Sequence, residues 1–171
     1  MTHPTKRAGA APHRMRVIPN APDAVLVRPV RRADLDAVIA IDATVTGLEK
    51  RKYWSSVYRR YGAGGGTEPQ FLVALLDARV VGFVIGEVRD WEFGSPPCGW
   101  VFAIDVDPQA RLGGVGTRLL EAISAGFRRA GVRKLRTMLA RDNTLILSFF
   151  RSQGMMAGPL ISLEKDLEGA S

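Results

Sequence analysis

The sequence predicts one α/β (α+β) domain with the element order β-α-α-β-β-β-α-β-α-β. Three observations carry that expectation. Short apolar runs bounded by Gly, Pro and Asp are interleaved with stretches whose apolar residues recur at helical spacing. Two of the runs are separated only by Asp77-Ala78, the spacing of a hairpin. A third run, ending at Asp107-Pro108, leads through a glycine-rich stretch into an amphipathic helix. The 171 residues fit a single domain over 25–167, between a basic tail at 1–24 and a short end at 168–171.

Residues 1–24 mix Pro, Ala, Gly and basic side chains without periodicity and are set outside the fold. Ala24 to Val30 is apolar enough for a first strand, and Ala33-Asp34 opens a helix through Leu35, Val38, Ile39 and Ile41 that stops at Thr46-Gly47. A second helix is expected from about Glu49 to Tyr61, broken by the glycine run at 62–66. Phe71–Leu76 and Arg79–Val88 form the antiparallel hairpin, and Trp100–Val106 the next strand. From Gly114 to Ala130, Val115, Leu119, Leu120, Ile123 and Phe127 mark one helix face, closed by Gly131. A short strand over Val132–Leu139, a helix opened by Asn143 and ended by Gly154, and a last strand over Leu160–Leu167 complete the order.

Composition removes several function classes. The hydrophobic fraction of 46% is that of a globular chain. No apolar run approaches the roughly 20 residues that span a bilayer, and no apolar stretch follows the basic start, so a cytoplasmic protein without a membrane partner is expected. Cys98, in the turn Gly94–Gly99, is the only cysteine, and His3 and His13 lie in the tail, so a disulfide and a metal site are not expected. The net charge of +7 is partly the tail, and no basic array with interleaved aromatics argues for nucleic acid. A positive surface equally suits a ligand with several phosphates.

The chemistry is concentrated in Ile104 to Leu120, a strand, a turn, a glycine loop and a helix. Glycines let backbone N–H groups approach a ligand closely, and the helix start adds unpaired donors and partial positive charge, a suitable seat for a diphosphate. Arg111 and Arg118 add full charges. A Walker loop is excluded because no lysine follows the glycines, and the dinucleotide fingerprint fails at Leu119, where its third glycine belongs. Arg111, Gly114 and Gly116 instead match Arg/Gln-x-x-Gly-x-Gly after a strand, which resembles the pyrophosphate loop of the GNAT N-acetyltransferases. Asn143, Phe149-Phe150 and Gly154-Met155 resemble that family's second motif, and the element order resembles its whole domain over roughly 25–167.

The resemblance implies a mixed, mostly antiparallel central sheet flanked by helices, and an enzyme passing an acetyl group from acetyl-CoA to a primary amine of a small molecule or peptide, without a metal. It places the cosubstrate on Arg111, Leu112, Gly113, Gly114, Val115, Gly116 and Thr117, with Asn143 and Phe150, and on backbone N–H groups near Ile104 and Val106. It also allows a homodimer joined across late strands. Relatives often carry a tyrosine acid where this chain has Phe150, which has no proton to donate. The inward positions of the strand 100–106 read as Trp100 and Phe102, neither a base. Glu87 on the neighbouring strand is the substitute, ahead of Asp105, Asp90 and Glu92. Glu49, Tyr53, Trp54 and Trp100 are candidate acceptor contacts. Two rivals stay open: a CoA-binding module without catalysis, motivated by Phe150, and a nucleic-acid-binding protein, motivated by the charge.

Overall fold

The computed structural model describes residues 25–63 and 70–167. The tail, most of the glycine run at 62–66 and the end at 168–171 lie outside the described residues. The order is β1 (Leu26–Pro29), α1 (Leu35–Thr46), α2 (Arg51–Val57), β2 (Phe71–Leu76), β3 (Arg79–Arg89), β4 (Cys98–Val106), α3 (Val115–Arg129), β5 (Leu135–Arg136) and α4 (Thr144–Ser152).

The five strands lie in sequence order in one sheet, the first four antiparallel and β5 parallel to β4. Asp77 and Ala78 both adopt positive φ, 48° and 64°, as a two-residue turn that matches strand twist requires. Side chains of β2 divide by parity, as a sheet buried on both faces demands. Phe71, Val73 and Leu75 join Val38, Ile39 and Ile41 of α1 and Trp54 and Val57 of α2 on one face. Leu72 and Ala74 join Val115, Leu119, Leu120, Ile123 and Phe127 of α3 on the other. Each fully buried side chain of that α3 row contributes about 1.5–3 kcal/mol of burial free energy.

Polar contacts fix where α1 begins. Asp34 accepts from Arg28 Nη1 at 2.6 Å, Arg28 Nη2 at 2.9 Å and the Arg31 N–H at 2.7 Å. The Arg28 hydrogen bonds hold its carboxyl below the usual carboxylate range. At the other end Gly47, at φ 73°, closes the helix in the left-handed conformation.

Several expectations change. The second helix is regular only over Arg51–Val57 and continues as a wide turn over Tyr58–Gly62, closed by the Ala63 N–H on Tyr58 O. Cys98 is not in a turn but is the buried first residue of β4. The strand expected over 132–139 shrinks to two residues, because β4 and β5 diverge beyond the Trp100–Arg136 pair. Residues 160–167 form no strand, and Leu160, Ile161, Leu163 and Leu167 are exposed. An edge only two residues long offers too short a ladder to recruit them. No helix of the described residues is long and apolar enough to cross a membrane.

Candidate active site

The divergence of β4 from β5 opens a cavity of about 570 Å³. Its walls are the second half of β4, residues 137–140, the start of α3, one face of α4, and α1 with α2. Beyond Trp100, β4 has no ladder partner on this edge; the Thr137 hydroxyl donates to Val101 O at 2.8 Å in place of a strand. The Asp107 N–H donates to Val81 O on β3. Strand alternation therefore turns the N–H groups of Asp105 toward β3 and those of Ile104 and Val106 away from it, toward the cavity.

The same cavity takes in the start of α3. Asp107 receives the Gln109 N–H at 3.0 Å and Pro108 opens a 3-10 turn to Gly113. Gly114 then takes φ 69°, a left-handed conformation that favours glycine, and α3 begins at Val115. The first hydrogen bond back to this turn is from the Arg118 N–H to Gly114 O, leaving the N–H groups of 115–117 without intrahelical acceptors. At Gly116 a Cβ would stand 3.1 Å from Phe149 Cε2, so a hydrogen there lets α4 close against α3. Asn143 accepts from the Ile146 N–H at 3.2 Å and caps α4, bringing Phe149 and Phe150 to the wall. Arg111 Nε donates to Val106 O at 3.4 Å.

The wall opposite is charged. Asp42, buried on α1, accepts from Trp54 Nε1 at 2.8 Å and from Lys50 Nζ at 3.0 Å. Asp105 lines the same space and has no hydrogen bond or ion pair among the described residues. Its carboxyl is pushed up to about 6, chiefly by burial and then by the Asp42 charge, while Arg111 and Lys50 act in the opposite direction.

The residues singled out by sequence divide accordingly. Ile104, Val106, Arg111, Gly114, Gly116, Thr117, Asn143 and Phe150 line the cavity, as do Tyr53 and Trp54. Leu112 points to solvent, Gly113 lies off the lining, and Val115 is a core residue. Glu49 pairs with Arg51 away from the cavity, and Trp100 lies under the Arg89 guanidinium, 4.4 Å from its ring centroid. Glu87 also lies off the lining, held by Tyr61 Oη at 2.9 Å and Arg89 Nε at 3.0 Å. Register explains the grouping, since Glu87 stands opposite Trp100 beyond the irregularity at Ile85/Gly86. Asp42, Lys50, Thr137 and Phe149 were missed as site residues. Asp42 had a signal: it continues the Val38-Ile39 row at helical spacing, where a charged residue demands a partner.

Comparison with known proteins bears on this geometry. Residues 39–155 match the family model described as the acetyltransferase (GNAT) family. The chain belongs to that family. Among curated relatives, an L-2,4-diaminobutyric acid acetyltransferase of Nocardia farcinica is 33% identical over 87 residues, 51% of this chain and 44% of that protein. A mycothiol acetyltransferase of Saccharomonospora viridis is 28% identical over 150 residues, 80% of this chain and 47% of that one. The chain thus spans less than half the length of these relatives. Among solved structures, aminoglycoside N-acetyltransferase AAC(6')-Iy in complex with CoA superposes with a TM-score of 0.72 at 16% identity, covering 84% of this chain and 95% of the other. An aminoglycoside antibiotic 6'-N-acetyltransferase from Acinetobacter baumannii gives 0.69 at 15% identity, covering 84% and 99%. At these identities the likeness is one of fold, the GNAT sheet with its helices.

Proposed function

We propose that this GNAT protein transfers the acetyl group of acetyl-CoA to a primary amine by direct attack, with Asp105 taking the amine's proton. The observation that carries this reading is one cavity bounded by the free edge of β4 and the start of α3 on one side and by the unpartnered Asp105 carboxylate on the other.

The residues present fit the cosubstrate. The unpaired N–H groups of 115–117, with Gly114 and the Arg111 guanidinium, suit a pyrophosphate. The outward N–H groups of Ile104 and Val106 suit an extended amide-bearing arm, and Phe149, Phe150, Leu145 and Ile146 give it an apolar wall. Acetyl-CoA, when bound, supplies an acyl carbon activated as a thioester. Phosphate contacts remote from that carbon supply binding free energy that holds it in place, the proximity contribution.

Asp105 acts on the other reactant. With its pKa near 6 it is ionised at neutral pH and attracts an ammonium into a pocket where it has no competing partner. The ammonium has no lone pair and first gives up one proton to solvent. The neutral amine then attacks the thioester carbon, its nitrogen becomes far more acidic as the C–N bond forms, and the Asp105 carboxylate accepts that second proton as the thiolate leaves. Glu87, the base expected from sequence, already accepts hydrogen bonds from Tyr61 and Arg89, which makes it the weaker candidate. A departing thiolate needs no dedicated acid, since a thiol is far more acidic than an alcohol, so the phenyl ring of Phe150 does not oppose the reaction. The activities named for the relatives, L-2,4-diaminobutyric acid acetyltransferase and mycothiol acetyltransferase, and the aminoglycoside acetyltransferase activity of the structural neighbours support a small-molecule amine as acceptor.

Isothermal titration with acetyl-CoA, on the wild type and on Gly114→Trp, followed by a thiol-release screen of amines, tests the reading. Micromolar binding lost in the variant, with turnover of at least one amine, is expected. Binding without turnover of any amine makes the protein a CoA-binding module. No binding at millimolar acetyl-CoA rejects the reading.

A further inference from the structure

The acceptor side of the cavity holds a charge arrangement that acetyl transfer by itself does not require. Asp42 is engaged on both oxygens: Oδ2 receives the Trp54 indole N–H and Oδ1 the Lys50 ammonium. Its charge is largely balanced by Lys50, though it still acts on Asp105. Lys50 is different. Its hydrogen bond to Asp42 is its only one among the described residues, and an ammonium carries three donors. The Asp42 bond and the Tyr53 ring, whose centroid lies 5.7 Å from Nζ, hold this cation at the cavity wall. Across the same space the one lining carboxylate without a partner among the described residues is Asp105. The cavity thus offers an incoming acceptor one open anion and one anchored cation with donors to spare.

On the acyl-transfer reading above, we propose that the acceptor is an amine that also carries a carboxylate, an amino acid or a close derivative, whose ammonium is received by Asp105 and whose carboxylate is received by Lys50. A polycation fits this wall poorly. Its second ammonium would enter the field of Lys50, whose cation already balances the Asp42 carboxylate. A zwitterion satisfies both open groups at once, and each contact is a charge-assisted hydrogen bond in a partly desolvated space. Lys50 is then a specificity-determining residue, positioned by Asp42, and Trp54 in turn positions Asp42.

The test compares each amino acid with its own carboxamide, which removes the negative charge and keeps the shape, along a series from glycine to lysine. Rates of thiol release are measured for wild type, Lys50→Met, Lys50→Arg and the control Lys52→Met, whose side chain is exposed and off the cavity. Equilibrium binding of the same pairs to the CoA-saturated protein gives a readout independent of turnover. Wild type is expected to favour the acid over its amide by about tenfold or more in kcat/KM, the worth of one charge-assisted hydrogen bond. That ratio should fall toward one in Lys50→Met, survive in Lys50→Arg and be unchanged in Lys52→Met. The ratio within one variant cancels losses of folded protein, and the wild-type ratio stands even if Lys50→Met does not fold. Equal rates for acid and amide in the wild type, or an unchanged ratio in Lys50→Met, overturn the proposal while acetyl transfer to amines stands. Absence of thiol release with every amine in the wider screen overturns both.

Discussion

The indole Nε1–H of Trp54 on α2 donates to Asp42 Oδ2 on α1 at 2.8 Å, and both residues are buried. This bond ties the two helices together at the cavity wall and leaves the second carboxylate oxygen to Lys50. Trp54→Phe keeps most of the apolar packing against Phe71 and Phe83 but leaves one oxygen of a buried anion without its donor. The loss is expected to be about 1.5–3 kcal/mol, the worth of a hydrogen bond to a charged group. A lower urea midpoint with an unchanged slope would show it; an unchanged midpoint would mean that the bond is not made in solution.

Asp105 should oppose stability while serving function. Its folded carboxyl is raised to about 6 from an ordinary 3.8, so between those values the native protein holds a proton that the unfolded chain has released. Stability therefore falls as pH rises through that window, and the deficit is complete above it. Asp105→Asn should raise stability at pH 7.5 by about 1–2 kcal/mol after allowance for partial exposure, and flatten its pH dependence between 4 and 6. The same variant should lower kcat/KM by about 10²–10⁴, the usual contribution of a positioned base, and abolish the acidic limb near pH 6. Retention of that limb would move the base elsewhere.

The start of α3 tolerates side chains unequally. A Cβ at Gly114 meets nothing within 4 Å, so Gly114→Ala is charged only for its left-handed backbone, about 1–2 kcal/mol. Gly116→Val has an ordinary backbone but presses on Phe149 at 3.1 Å, driving α4 away from α3 across the cavity. It should weaken acetyl-CoA binding by about tenfold or more in titration, the equivalent of one lost charge-assisted contact. Equal affinities in Gly116→Val and wild type would show that the α3–α4 approach does not shape the site.

The chain beyond Gly158 should be dispensable for folding. Leu160, Ile161, Leu163 and Leu167 are exposed and the described residues 159–167 add no strand to the sheet, whereas Met155 still packs on the core. Truncation after Gly158 is expected to move the melting midpoint by no more than about 3 °C, the effect of changes confined to a surface. A drop well beyond that would mean that the segment is paired in solution.

The parts legible in the sequence are those with a local cause. The strand expected at 100–106, the turn at Asp107-Pro108, the glycines and the amphipathic α3 sit in one uninterrupted stretch, and sequence pattern places them to within two residues. The hairpin turn was equally local. The residues 160–167 show the limit of that logic, since a strand needs a partner edge and the sequence does not state that β5 has only two residues to offer. Glu87 and Asp105 show it for the site. They lie on adjacent strands, both acidic, and only the register with its irregularity at Ile85/Gly86 puts one beside Trp100 and the other in the cavity. Lys50 gave no pattern at all, because its place at the cavity wall depends on the Asp42 carboxylate of another helix.

The open edge of β4 has a consequence for how such a protein changes over time. Along Ile104 and Val106 the groups turned toward the cavity edge are main-chain atoms, common to every amino acid, while Asp105 between them presents a side chain to the opposite wall. On the proposed function, one short strand thereby addresses two molecules with two alphabets. Substitutions would then rewrite what the side chains select and leave the backbone's message to the acyl donor intact, so a new acceptor could be acquired without relearning how to hold the old donor.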